Sequence, residues 1–231
     1  MLTKLTYTAL ATVIIDIIAM FLLLGLIQLT RIYRQRGKLK DKIFFAMLLL
    51  DLLMTVTDIS VELLNYSTSA TLRVVMILTS TILTVAFQIL CLLVLLYLIC
   101  FLPGGTEKVK KNYRLYAIPA LLASVMLIIN IFGGFLFYAD SETGQYLHGP
   151  VYELVLVPTV IYAVMCIRTL WDVNRQGIFL FLMLLVVRLG LESAFRSVSS
   201  TPFVYAVVLI YLLVGTMNRS FHEEGDNDSD S

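Results

Sequence analysis

Apolar runs of about 20 residues, recurring along the chain between short polar pieces, set the strongest limit on what this sequence can fold into. A bilayer core about 30 Å thick is crossed by ~20 helical residues, and lipid offers no partner for a backbone N–H or C=O. Only helices or a closed barrel meet that demand, and the alternating pattern of a barrel is absent. Seven segments can be read off, at about 6–30, 43–64, 73–102, 114–138, 150–171, 177–198 and 202–218. Composition agrees, since 59% of the 231 residues are hydrophobic, against roughly 45–50% in a soluble domain. The expected fold is all-α: a polytopic bundle of seven transmembrane helices over 1–218, then a short acidic tail at 219–231 that reads as disordered. The first run ends in a basic cluster instead of a small-residue cleavage site, so it reads as a retained helix.

Prolines and glycines punctuate these runs. Pro103-Gly104-Gly105 ends the third segment, and Pro150 and Pro202 stand at helix starts. Pro119 is expected in the first turns of the fourth helix, and Pro158 is expected to kink the fifth.

Lys and Arg set the orientation. The first loop carries Arg31, Arg34, Arg36, Lys38, Lys40 and Lys42, and the third carries Lys108, Lys110, Lys111 and Arg114. The second loop offers only Arg73, and the fourth, YADSETGQYLHGP, has neither Lys nor Arg. The positive-inside rule then puts the odd loops and the C-terminus in the cytoplasm and the N-terminus outside.

Against this apolar background the stretch LLLDLLMTVTDISVELL is anomalous, because it carries Asp51, Asp58 and Glu62 inside one span. Asp51, Thr55, Asp58 and Glu62 are spaced 4, 3 and 4 apart and therefore share one helix face, which climbs from the midplane outwards. The sixth segment repeats the device with Arg188, Glu192 and Arg196. Asp16, Gln88 and Asn130 fall within the first, third and fourth segments, and Glu153 at the outer end of the fifth. An acid or base at a helix centre costs about 2.5–3.5 kcal/mol on insertion scales, so these groups should converge inside the bundle. The competing reading is structural: Arg188 bridging Asp58 or Glu192 would only fix helix register. Glu62, Glu153 and Arg196 can reach the interface, where snorkelling relieves them, and Asp51 also reads as structural. Acids outnumber bases, which suits a cationic or zwitterionic ligand, or a proton.

Catalytic signatures are missing. His148 and His222 fall on opposite sides of the membrane, and Cys91, Cys100 and Cys166 sit inside apolar runs without metal-ligand spacing. HExxH, GxSxG, CxxC and P-loop patterns are absent, and PFVYAVVLIYLLVGTMN has no lysine for a retinal Schiff base. The expectation is a protein that is not an enzyme, with no cofactor, no metal site and no nucleic-acid partner.

The stretch NIFGGFLFYADSETGQYLHGPVYEL, residues 130–154, joins an Asn and aromatics at a helix end to a short acidic turn, Tyr146 and His148-Gly149-Pro150. Together with the basic first loop and the carboxylate-bearing second helix, it resembles the seven-helix sensor region at the N-terminus of membrane histidine kinases and GGDEF diguanylate cyclases of Firmicutes. The resemblance covers the membrane part and implies the fold, the orientation and sensing from outside in a bacterial cytoplasmic membrane. It does not extend to an output domain, because only about a dozen polar residues follow Asn218 and neither a phosphoacceptor His region nor a GGDEF motif is present.

The expected function is therefore a non-catalytic receptor. A small extracellular ligand, ion or peptide would meet an outward-facing polar cavity, and a separate cytoplasmic protein would take the signal. Candidate ligand-binding residues are Asp16, Asp58, Glu62, Gln88, Asn130, Arg188 and Glu192. The basic loops 31–42 and 107–114 would dock that partner or anionic lipid. A small, proton-coupled transporter or a transport subunit is the main alternative, and a structural or chaperone-like membrane protein is the third.

Overall fold

The computed structural model describes residues 2–33, 38–65, 69–143, 145–173 and 202–212. Within them the chain runs as α1 (Leu2–Tyr33), α2 (Leu39–Leu64), α3 (Ala70–Ile99), α4 (Gly105–Gly133), strands β1 (Phe137–Ala139) and β2 (Tyr146–His148), a 3-10 turn (Tyr152–Val155) and α5 (Leu156–Val173). A further apolar helix, α6, covers Pro202–Leu212. Five helices among the described residues are long and apolar enough to cross a membrane, over Leu10–Ile32, Leu39–Leu64, Ala70–Ile99, Gly105–Gly133 and Tyr152–Trp171. The expected sixth span, 177–198, lies outside the described residues, and the seventh is described as far as Leu212.

Helix α3 is the axis of the packing. α2, α4 and α5 lie against it, and α1 lies against α2. Its stretch from Val94 to Ile99 is buried on all sides, and Leu23, Met47, Leu48, Met54, Leu90 and Leu95 complete a closely packed interior. α6 joins through Tyr205, whose ring meets Phe87 edge-on at 5.7 Å and whose hydroxyl lies 3.6 Å from the Cys91 sulfur. The outer surface is apolar as well, with Phe21, Leu121, Leu122, Phe132, Val160 and Val164 exposed, as lipid-facing positions require.

Contacts between loops identify the two ends of the bundle. At one end the Lys40 ammonium lies 5.7 Å from the centre of the Phe101 ring, joining the start of α2 to the end of α3. At the other, Arg73 Nη1 donates to the Asp140 carbonyl at 3.3 Å, and the Tyr146 N–H donates to Asn65 Oδ1 at 3.1 Å. The helices thus run up and down, and Arg31, Lys38, Lys40, Lys42, Lys108, Lys110 and Lys111 gather at the first end.

The fourth expected segment, 114–138, is displaced at both ends. α4 begins at Gly105, because Glu107, Lys108, Lys110 and Lys111 are good helix formers and can extend the helix into water. The exposed Lys110–Glu107 ion pair at 2.9 Å marks this extension, in which the third basic loop is helical. It also makes Pro119 an interior residue of α4 instead of one in its first turns. At the far end Gly134 turns left-handed (φ 61°) and its N–H closes on the Asn130 carbonyl at 2.9 Å, so the helix stops at Gly133. Phe137 and Tyr138, expected to close the fourth helix, instead form β1 with Ala139, paired antiparallel with β2 in the register Phe137↔His148, Tyr138↔Leu147 and Ala139↔Tyr146. Gly149 is required where the chain leaves β2, because a Cβ there would collide with the Phe135 carbonyl. In α5, Pro158 stands in the first turn, just after the 3-10 segment, so it falls at the helix entrance and not at a mid-helix kink. Pro150 likewise precedes the 3-10 turn.

Pro119 leaves the Leu115 carbonyl without its helical donor and opens the ladder there. The next rung of the ladder is reached from α5. The hydroxyl of buried Tyr162 donates to the Tyr116 carbonyl at 2.9 Å and accepts the Ala120 N–H at 3.1 Å, inserting itself between two groups four residues apart on α4.

Candidate functional site

The polar stripe of α2 is built as its spacing requires. Asp51, Thr55 and Asp58 are all buried, and Glu62 is half-buried one turn further out. At about 1.5 Å per residue, Asp58 lies about 10 Å and Glu62 about 16 Å from Asp51 toward the hairpin end. The Thr55 hydroxyl donates back to the Asp51 carbonyl at 2.9 Å, so its hydrogen is held by the helix while its lone pairs stay available.

α1 supplies the opposite wall. Asp16 is 0% exposed and lies within Coulombic range of Asp58 and Glu62, and Asp51, also 0% exposed, lies within range of Asp16. Thr12, one turn from Asp16, is fully buried too. Both carboxylate oxygens of Asp16 and both of Asp51 have no hydrogen-bond partner. Among the described residues, Lys110–Glu107 is the ion pair formed, and it is remote from these acids in sequence and at the opposite end of the bundle from Glu62.

The hairpin closes the outer end of this stripe. Asn65, which caps α2, hydrogen-bonds the Glu62 side chain and also accepts the Tyr146 N–H. Tyr146 itself is within Coulombic range of Asp58 and Tyr152. An aromatic row extends from it: Phe137 at 5.5 Å, His148 edge-on at 5.7 Å, and Tyr152 stacked on His148 at 3.7 Å. Burial raises the Tyr146 phenol above its ordinary range and holds the His148 imidazole below 6.5, so both are neutral near pH 7. At the turn, Asp140 Oδ2 accepts the Thr143 hydroxyl at 2.6 Å and its N–H at 2.9 Å, which holds that carboxyl below 3.8.

The remaining candidates divide. Asn130 is fully engaged with backbone, its Nδ2 donating to the Phe137 carbonyl at 3.0 Å and its Oδ1 accepting the Leu136 N–H at 2.6 Å. It anchors the hairpin to α4. Gln88 donates from Nε2 to the Val155 carbonyl and to Thr159 Oγ1, each at 3.1 Å, tying α3 to the start of α5, while its Oε1 is buried and unpartnered. Arg188 and Glu192 lie outside the described residues. Asp51 is the residue that spacing alone undervalues: its place on the stripe is visible in sequence, but its proximity to Asp16 depends on which helix α1 packs against. No group of three or more His, Cys, Asp or Glu among the described residues is placed to hold a metal ion.

Comparison of the chain with protein-family models, with curated proteins and with solved structures gives no match.

Proposed function

We propose that this chain is a non-catalytic membrane receptor of the seven-helix sensor type, with its N-terminus outside and its C-terminus in the cytoplasm of a bacterial cell. A small extracellular ligand, cationic or zwitterionic, approaches beneath the hairpin, is met by Glu62 and Asp58, and reaches toward Asp16. A separate cytoplasmic protein reads the resulting shift in helix packing at the basic end. The observation that carries this reading is the convergence of Asp16, Asp58 and Glu62 from two helices under a roof tied to α2 through Asn65. The gathering of Lys and Arg at the opposite end supports the orientation.

A small proton-coupled carrier is the second reading, favoured by the unpartnered carboxylates deep in the bundle. A carrier also needs a polar exit, and the buried positions of α2 on the basic side of Asp51 are Ile43, Phe44, Met47 and Leu48. That apolar stretch favours the receptor.

The test is a thermal-shift screen of small amines, betaines and amino acids on protein in lipid vesicles, followed by counterflow of any hit. The receptor reading expects binding that Asp58→Asn and Glu62→Gln weaken at least tenfold, with no counterflow. Counterflow would establish the carrier instead, and binding indifferent to both substitutions would remove the site.

A further inference from the structure

Exposure follows a regular course along four of the helices. On α4, Leu115, Ile118, Leu122, Val125, Ile129 and Phe132 are exposed at spacings of 3 and 4, a single face opposite the buried Ala120 and Leu127. The same face continues one turn on into Lys111, which is exposed as well. The exposed face of α1, Ile14, Ile17, Phe21 and Leu24, reaches Arg31 two turns on. That of α2, Val56, Leu53 and Leu49, reaches Lys42 two turns on, and that of α5, Val157, Ile161 and Val164, reaches Arg168 one turn on. All four cations are exposed and stand toward the Lys-rich end of the bundle. Among the described residues no acid is paired with any of them, Lys110–Glu107 being the ion pair formed.

The apolar part of each face sets the depth of its cation. Leu115 to Phe132 spans about 26 Å at 1.5 Å per residue, close to the hydrocarbon thickness of about 30 Å. Lys111, four residues beyond Leu115, lies about 6 Å further out, within the headgroup layer. Tyr113 and Arg114, both exposed, mark the boundary: Arg114 Nε donates to the Tyr113 hydroxyl at 3.2 Å, with the guanidinium 5.8 Å from the ring centre. On α5, exposed Trp171 marks it in the same way, one turn past Arg168, whose long side chain reaches outward to that level.

Direction decides what these charges meet. A soluble protein docks on the pole of the bundle, whereas a side chain in line with lipid-facing Ile118 and Leu122 points sideways into the surrounding leaflet. Lys40 shows the contrast. It stands two residues from Lys42, on the other side of α2, and its ammonium lies 5.7 Å from the centre of the Phe101 ring.

We propose that Arg31, Lys42, Lys111 and Arg168 form a girdle that binds the headgroups of anionic phospholipids, holding a ring of them around the Lys-rich end. The inference goes beyond the receptor reading and does not rest on it. Lipid held at the rim leaves the pole to a cytoplasmic protein, and would serve a carrier equally.

The experiment uses the full chain reconstituted in phosphatidylcholine. Its association with spin-labelled phosphatidylglycerol and with spin-labelled phosphatidylcholine is compared by electron paramagnetic resonance. Wild type should prefer the anionic lipid about threefold or more at low salt, and the preference should shrink as NaCl shortens the Debye length. Lys42→Gln should reduce the preference, and Lys40→Gln should leave it unchanged. Arg31→Gln, Lys42→Gln, Lys111→Gln and Arg168→Gln combined should abolish it, and the two single variants carry the test even where the combined one fails to fold. Equal association of both lipids with wild type overturns the proposal and leaves these cations to a soluble protein. Equal losses in Lys40→Gln and Lys42→Gln overturn it as well, because charge at that end would then act whichever way it is aimed. So does a preference that survives the combined variant.

Discussion

Asn130 shows how much structure one buried amide can organise. Its Oδ1 and Nδ2 serve the N–H of Leu136 and the carbonyl of Phe137, joining the end of α4 to β1. Asn130→Ala would leave both backbone groups without partners in a buried position, a loss of about 2–4 kcal/mol. Chemical unfolding followed through hairpin-specific amide exchange should show it, and exchange unchanged at Leu136 would refute the role. In sequence, Asn130 looks like an intramembrane polar group awaiting a ligand. What it lacks there is any sign of the sharp turn at Gly134 that brings backbone groups six and seven residues on back to it. Asp16 is the contrary case. Depth and apolar neighbours single it out at once, whereas its approach to the acids of α2 needs two helices docked in register, which no single periodicity encodes.

At the scale of elements, the helices were legible because a 20-residue apolar run has few alternatives, and their ends were not. Charge in the first turns of α4 reads as loop, although Lys and Glu are strong helix formers once a helix has been nucleated. Strands of three residues, Phe137–Ala139 and Tyr146–His148, are too short for alternation to register. The hairpin should also be sensitive to acid. Asp140 is held below 3.8 by its bonds from Thr143, and His148 below 6.5 by partial desolvation against the rings of Tyr152 and Tyr146. Each binds fewer protons folded than unfolded, so each contributes stability above its ordinary value and loses it as pH falls through its lower, folded one. Amide exchange in 137–148 should therefore accelerate in two steps on acidification, the first below ~6.5. His148→Phe should abolish the first step alone. Since both groups keep solvent contact, the steps are small.

For the whole molecule, alternate loops meet at opposite ends, one rich in Lys and the other closed by the hairpin. If the Lys-rich end is cytoplasmic, a membrane-impermeant thiol reagent should label Glu142→Cys in intact cells and Lys108→Cys only after permeabilisation. The reverse pattern would invert the orientation. The Tyr162 hydroxyl, seated between the Tyr116 carbonyl and the Ala120 N–H, ties the middle of α4 to α5 beside Pro119. Rotation of α5 by one residue, about 100°, would carry that hydroxyl away from both groups. The stretch of α4 that Pro119 already deprives of one rung would then lose its outside support, so the orientation of α5 about its own axis and the integrity of α4 at its midpoint are one variable.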